Sequence, residues 1–398
     1  MSDRAQVPLS LVFALAATIM LGPFSVDTYL PAFPAIAQTL GVDMQSVSLS
    51  VSVYIFALAF GQLIGGALSD RFGRKPILFA GLGVFVVASL ILSQTQTLSV
   101  LLGGRALQAI GAGWVLVSVP ALVRDRVHGQ QAAKLFSLIG LIMVVAPGIA
   151  PSIGSALLKL GHWGIIFIFL AVYAVALVPL LMRTVFREKP ASSGAPQPPI
   201  PLLQRYLNVL RTKPALPFIA WQAGSFSMMM LFITYASFIY QIHFEQTEDA
   251  FALLFGANIV AMFCLNLTNR ALLSRLTSLQ VLRLATALQG VGVLLLILAT
   301  VMDWGMYGFL AAMMMAIGAM GAITPNIQAC FMEYFPTNGG TAAALLGAAQ
   351  FGIAGTLSAL SAFLPHTLLA VVLAMAACSA VSVILMLRSL RQPAVVTN

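Results

Sequence analysis

Two ionisable side chains, Asp27 and Arg105, fall well inside long apolar stretches of this sequence. A charge placed at the centre of a hydrocarbon layer costs roughly 3 kcal/mol on insertion scales, so such residues are retained for what they do. The chemistry open to Asp27 is reversible protonation, because at low dielectric a carboxyl group exchanges its proton near neutral pH. It directly precedes Thr28-Tyr29-Leu30-Pro31-Ala32-Phe33-Pro34, where two prolines loosen the backbone ladder. The plainer alternatives are a cap at the outer water layer and a permanent pair with Arg105. Arg105 keeps its proton, so it either tunes Asp27, holds an anionic group of a substrate, or anchors its helix by reaching toward the interface. Gln108, three positions on, shares its helix face and makes a polar spot that points inward.

The elements that carry these residues are membrane helices. The 398 residues are 60% hydrophobic and 8% charged, against about 25% charged in soluble proteins. Apolar runs long enough to span a bilayer occupy 9–38, 47–68, 77–93, 98–123, 133–158, 163–182, 214–242, 250–267, 281–302, 305–332, 342–364 and 368–387. The fold expected is all-α, with about twelve transmembrane helices in two pseudo-symmetric six-helix bundles around a midplane cavity. The amino-terminal bundle covers 1–182 and the carboxy-terminal bundle 214–398. Between them, 183–213 is basic and rich in proline, with a short interfacial helix over 202–210. Ile110-Gly111-Ala112-Gly113 in the fourth helix has its counterpart in Ile317-Gly318-Ala319-Met320 of the tenth, as an internal repeat requires.

The net charge of +9 does not point to a nucleic acid, because all but Arg105 and Lys159 of the 20 Lys and Arg residues fall on one side of the predicted spans. That bias places both termini in the cytoplasm. Asp43, Glu245, Glu248, Asp249 and Asp303 lie on the opposite side. With no small-residue cleavage site after the first apolar run, the first helix is expected to stay in the mature chain. Cys264, Cys330 and Cys378 read as packing residues, and His128, His162, His243 and His366 have no metal-ligand spacing. Without a phosphate-binding glycine loop ending in Lys-Ser or Lys-Thr, ATP hydrolysis is not the expected energy source, and neither an enzymatic activity nor a cofactor is expected.

Between the second and third helices runs Gly66-Ala67-Leu68-Ser69-Asp70-Arg71-Phe72-Gly73-Arg74-Lys75-Pro76, read as a tight, charged cytoplasmic turn. It resembles the signature G-x-L-a-D-r-x-G-r-K-P of the major facilitator superfamily. The resemblance implies a conformational latch made by Gly66, Asp70, Arg71, Gly73 and Arg74, with Asp70 facing a neighbouring helix end and Arg74 reaching Asp125. A positive-inside turn with no mechanical role is the alternative. Asp27-Thr28-Tyr29-Leu30-Pro31-Ala32 resembles the Asp-x-Tyr-Leu-Pro-Ala stretch of the Bcr/CflA drug exporters within that superfamily, and Arg105-Ala106-Leu107-Gln108-Ala109-Ile110-Gly111 resembles its R-x-x-Q-G-x-G motif, with Ala109 in place of a glycine. In the fifth helix, Ala146 to Ser155 resembles the antiporter motif G-x-x-x-G-P-x-x-G-G. Pro147, Ala150, Pro151 and Gly154 stand at its centre, and alanine or serine replaces three of its glycines.

These resemblances imply export of drugs of the bicyclomycin, sulfonamide or chloramphenicol type across the bacterial inner membrane, driven by the proton gradient, with Asp27 and Arg105 coupling protons to transport. They also imply a monomer. A metabolite such as a purine, nucleoside or amino acid is the alternative cargo, and a non-transporting membrane sensor the alternative of another class. For the substrate cavity the candidates are Tyr29, Tyr54, Gln108, Gln222, Tyr235, Asn258 and Gln350, polar or aromatic side chains on helix faces that also suit plain helix packing. Asn258, Met262 and Asn266 recur every four residues and share one face of the eighth helix.

Overall fold

The computed structural model describes residues 8–124, 146–187, 202–335, 339–365 and 367–391. Among them no strand occurs, and eleven helical stretches are long and apolar enough to cross a membrane. In chain order the helices are α1 (Leu9–Asp27), α2 (Phe33–Leu40), α3 (Met44–Phe72), α4 (Arg74–Ser93), α5 (Leu98–Arg124), α6 (Ala146–Leu158), α7 (Gly164–Thr184), α8 (Leu202–Arg211), α9 (Leu216–Ser237), α10 (Glu248–Leu272), α11 (Ser278–Val301), α12 (Gly305–Gly318), α13 (Met320–Met332), α14 (Gly339–Leu360) and α15 (Leu368–Arg391). The chain is a multi-pass membrane protein of all-α fold, and it divides into two compact units, Met1–Ile200 and Pro201–Asn398. The linker helix α8 packs within the second unit, against α14.

Three elements differ from the sequence reading. The charged stretch from Gly66 to Pro76 is mostly helix: α3 runs on to Phe72, α4 begins at Arg74, and the turn shrinks to Gly73 alone. Gly73 holds φ at +92°, a conformation that a side chain would strain, so one glycine makes the whole reversal. The first span is not continuous, because α1 stops at Asp27 and a single 3₁₀ turn, Leu30–Ala32, joins it to α2. Pro31 and Pro34 each withhold an N–H from the ladder, which is why the break falls there. The tenth span is likewise divided into α12 and α13 at Ala319.

In the first unit, glycines set how close the helices come. A Cβ on Gly113 of α5 would lie 2.7 Å from Gln62 N and Gly61 C of α3, and one on Gly61 would lie 2.8 Å from Ile110 Cα. On the adjoining face of α5, Gly111 meets α4, where a Cβ would stand 2.7 Å from both Gly81 O and Phe85 N. Backbone atoms cannot turn aside as a side chain can. Gly111→Val is therefore expected to force α4 and α5 apart and to cost about 3 kcal/mol, the upper range of overpacking. The unfolding midpoint of the purified protein in detergent reads this directly; a midpoint equal to wild type would show that the helix pair yields without loss.

Candidate functional site

Arg105 sits two turns into α5 and is completely buried. Its guanidinium lies over two aromatic rings, with Cζ 4.3 Å from the ring centre of Tyr29 and 4.1 Å from that of Tyr54. Tyr29 comes from the break between α1 and α2 and Tyr54 from α3, so three separate elements build the cluster. Desolvated cation–π contacts of this kind contribute about 2 kcal/mol each. The Tyr29 ring is held in place by a 2.9 Å hydrogen bond between its hydroxyl and Ser50 Oγ.

The polar contacts of Arg105 run through one nitrogen. Nη1 donates to the Ser25 carbonyl at 2.9 Å and to Gln108 Oε1, and Gln108 Nε2 in turn donates to Ser89 Oγ of α4 at 2.8 Å. Gln108 is thus the link that ties the guanidinium to α4. Nε and Nη2 of Arg105 have no hydrogen-bond partner, and neither does the Tyr54 hydroxyl. A buried cation with two nitrogens unsatisfied is costly, and the site keeps it.

Asp27 closes α1 two residues after Ser25, and it too is buried, with Oδ1 lacking any hydrogen-bond partner. It lies within electrostatic reach of Arg105. Asp27 is 2% exposed, and both side chains keep atoms without a hydrogen-bond partner.

The fifth-span segment presses on the same place. Ala146, Ala150 and Gly154 are spaced four apart on α6 and are all buried. At Gly154 the backbone of α6 lies so close to the Thr28 carbonyl that a Cβ would collide with it, and Pro31 Cγ stands 3.4 Å from the same point. The small-residue face of α6 therefore rests on the break that follows Asp27. Pro151 is buried beside it, while Pro147 is half-buried.

The candidates of the second unit have partners within that unit. Gln222 of α9 donates through Nε2 to Gln350 Oε1 of α14 at 2.8 Å, and Tyr235 of α9 donates to the Ser361 carbonyl at 2.9 Å. Asn258 donates to the Tyr240 hydroxyl at 3.3 Å, and Asn266, on the same face of α10, donates to the Gly321 carbonyl of α13 at 2.9 Å. On that face Asn258 Oδ1 is buried without a hydrogen-bond partner. In the charged stretch, Arg74 Nη1 donates to Ser69 Oγ at 3.1 Å, Arg71 lies 5.1 Å over the Phe72 ring, and a Cβ on Gly66 would meet only Val117 at 3.6 Å. Asp125 lies outside the described residues, and for Asp70 only the helical backbone is described. Ser25, Ser50 and Ser89 were not foreseen: serines are too common in membrane helices for the sequence to single them out.

The family described as Major Facilitator Superfamily matches residues 15–359. A bicyclomycin resistance protein homolog from Haemophilus influenzae is 29% identical over 94% of each chain. The multidrug resistance protein MdtL of Escherichia coli is 32% identical over 48% of this chain and 49% of its own. Among solved structures, a D-xylose-proton symporter superposes with a TM-score of 0.75 over 95% of this chain and 96% of its own, at 14% identity. A partially occluded, inward-open form of the Escherichia coli xylose transporter XylE gives 0.70 at 13% identity, covering 96% of this chain and 97% of that one. At these identities the structural likeness speaks for the fold alone.

Proposed function

We propose, from the premise that the chain belongs to the Major Facilitator Superfamily, that it exports small amphipathic drugs across the bacterial inner membrane in exchange for protons. The observation that carries the proposal is the buried, incompletely satisfied Asp27 carboxyl within electrostatic reach of Arg105, which lies over two tyrosine rings. A carboxyl group with an empty acceptor in a low-dielectric site is suited to take up a proton in one state and release it in another. A guanidinium does not give up its proton in proteins, so Asp27 is the group whose charge changes. The helix break at 28–32, with α6 seated on it, supplies the joint at which such a change is felt by the backbone. The similarity to a bicyclomycin resistance homolog and to MdtL supports drugs as the cargo. The chain is taken to work as a monomer by alternating access, with both termini in the cytoplasm as the distribution of basic residues requires.

Inside-out vesicles with an acid interior test this. Bicyclomycin, sulfonamides, chloramphenicol, nucleosides and amino acids are added in turn while a pH dye reads proton release. Release provoked by one or more of the drugs and by none of the metabolites is the expected result. Release by nucleosides or amino acids alone would replace drugs with a metabolite as cargo. Silence toward every compound, with binding still present, would identify a sensor or facilitator and end the antiport reading.

A further inference from the structure

Helix α9 carries two polar clusters one residue apart, and they differ in completeness. On one side Trp221 Nε1 donates to Thr286 Oγ1 at 2.9 Å, Ser225 donates to Gln289 Oε1 at 2.8 Å, and Ser382 Oγ donates to the Trp221 carbonyl at 3.0 Å. Gln289 then spends its own amide on the Met320 sulfur at 3.4 Å. No side-chain polar atom of this network is left without a partner, and such networks hold helices together. Gln222, the next residue, is different. Its Nε2 donates to Gln350 Oε1 at 2.8 Å and to Thr324 Oγ1 at 3.4 Å, which uses both amide hydrogens, while its Oε1 is buried with no partner.

An amide that has its donors satisfied and its acceptor empty is a one-sided recognition element. The protein chain could have closed it with a serine, as it did at Ser225. One turn along the same face of α9, Phe226 meets Phe351 of α14 edge to face at 5.1 Å, so Gln222 opposite Gln350 and Phe226 opposite Phe351 form a polar step beside an aromatic wall. Thr324, Gln350 and Phe351 are each half-exposed, whereas Gln222 is 1% exposed. The corner is open at its rim and unsatisfied at its base. It carries no formal charge.

We propose that this corner, formed by Gln222, Thr324, Gln350, Phe226 and Phe351, is a substrate subsite of the second unit that selects a neutral, ring-bearing compound through an N–H or O–H donor directed at Gln222 Oε1. The inference rests on the transporter reading and adds the chemistry of the cargo to it. A subsite built to accept a donor discriminates against the analogue that lacks it, because the buried acceptor is then left empty in the complex. The aromatic wall contributes to both analogues alike.

The test uses chloramphenicol, a nitrophenyl ring with an amide N–H and two hydroxyl groups, and its analogue methylated at the amide nitrogen and at both hydroxyls, which has no donor left, bound to the purified full-length chain and followed by thermal stabilisation. Wild type is expected to bind chloramphenicol about tenfold more tightly, the size of one lost hydrogen bond to a buried partner. Gln222→Met is expected to bind both compounds equally and weakly. Phe351→Leu is expected to weaken both while keeping their ratio, and it serves as the second variant should Gln222→Met show no cooperative melting. Equal binding of the two compounds by wild type overturns the subsite, whether or not proton release persists. An unchanged ratio in a cooperatively melting Gln222→Met overturns it as well. Proton release by other drugs with no binding of either probe overturns the subsite and leaves the transport reading standing, whereas loss of both removes the two together.

Discussion

In vesicles bearing Asp27→Asn, drug-provoked proton release is expected to fall to the level of empty vesicles, while drug binding and cooperative melting remain. Asparagine keeps the shape of the side chain and one carbonyl oxygen, so the packing at the end of α1 has no reason to change. It cannot exchange a proton. Burial of a carboxyl group with an unpartnered oxygen is itself destabilising, by about 1 kcal/mol or more on mutational scales. Asparagine buries an amide in its place, so the variant should melt close to the wild-type midpoint while transport is lost. Proton release equal to wild type would place the coupling group elsewhere and return Asp27 to a structural role.

Arg105→Met is expected to abolish transport with little change in stability. The balance is one of large terms. The guanidinium contributes two aromatic contacts of about 2 kcal/mol each, together with hydrogen bonds to Ser25 and Gln108. Against these stands the desolvation of a cation whose Nε and Nη2 remain unpaired, a cost of several kcal/mol. Methionine has similar reach, packs against the tyrosine rings and carries no charge, and with the cation gone Asp27 is left protonated and neutral, so the net change in stability should stay within about 2 kcal/mol. Transport has no such compensation, because ionised Asp27 would lose the cation within its electrostatic reach. Arg105→Lys should fall short of wild type as well, since an ammonium keeps the charge but lacks the flat fork that stacks on the rings. Midpoints from thermal melts and proton release from vesicles, measured on the same preparations, separate the two effects. A large drop in midpoint with transport preserved would make Arg105 a packing residue.

The sequence by itself determined the membrane class, most of the described span positions and the two buried charges. Each of these is a local property: a span is a length of apolar residues, and an ion in that length is conspicuous because hydrocarbon makes it expensive. Asp27 and Arg105 were legible for that reason, and Gln108 because three residues along a helix return to the same face. The break after Asp27 was foreshadowed by Pro31 and Pro34, since a missing N–H is a covalent fact. The length of the charged turn was not legible, because glycine and charge mark both a turn and a helix end, and only the backbone path shows that Gly73 suffices.

What the tertiary structure decided is which side chains meet. Tyr29 and Tyr54 were two of many polar or aromatic candidates until the fold placed both rings against Arg105. Gly154 carried a motif resemblance, but its seat on the Thr28 carbonyl comes from the approach of α6 to the break, and sequence spacing does not encode that distance. Gln222, Thr324 and Gln350 lie on three helices and become one corner only when those helices pack. The decisive distinction, between Gln289 satisfied and Gln222 Oε1 unsatisfied, is invisible in composition, because the hydrogen-bonding state of a buried amide depends on its neighbours in space and not on its neighbours in the chain.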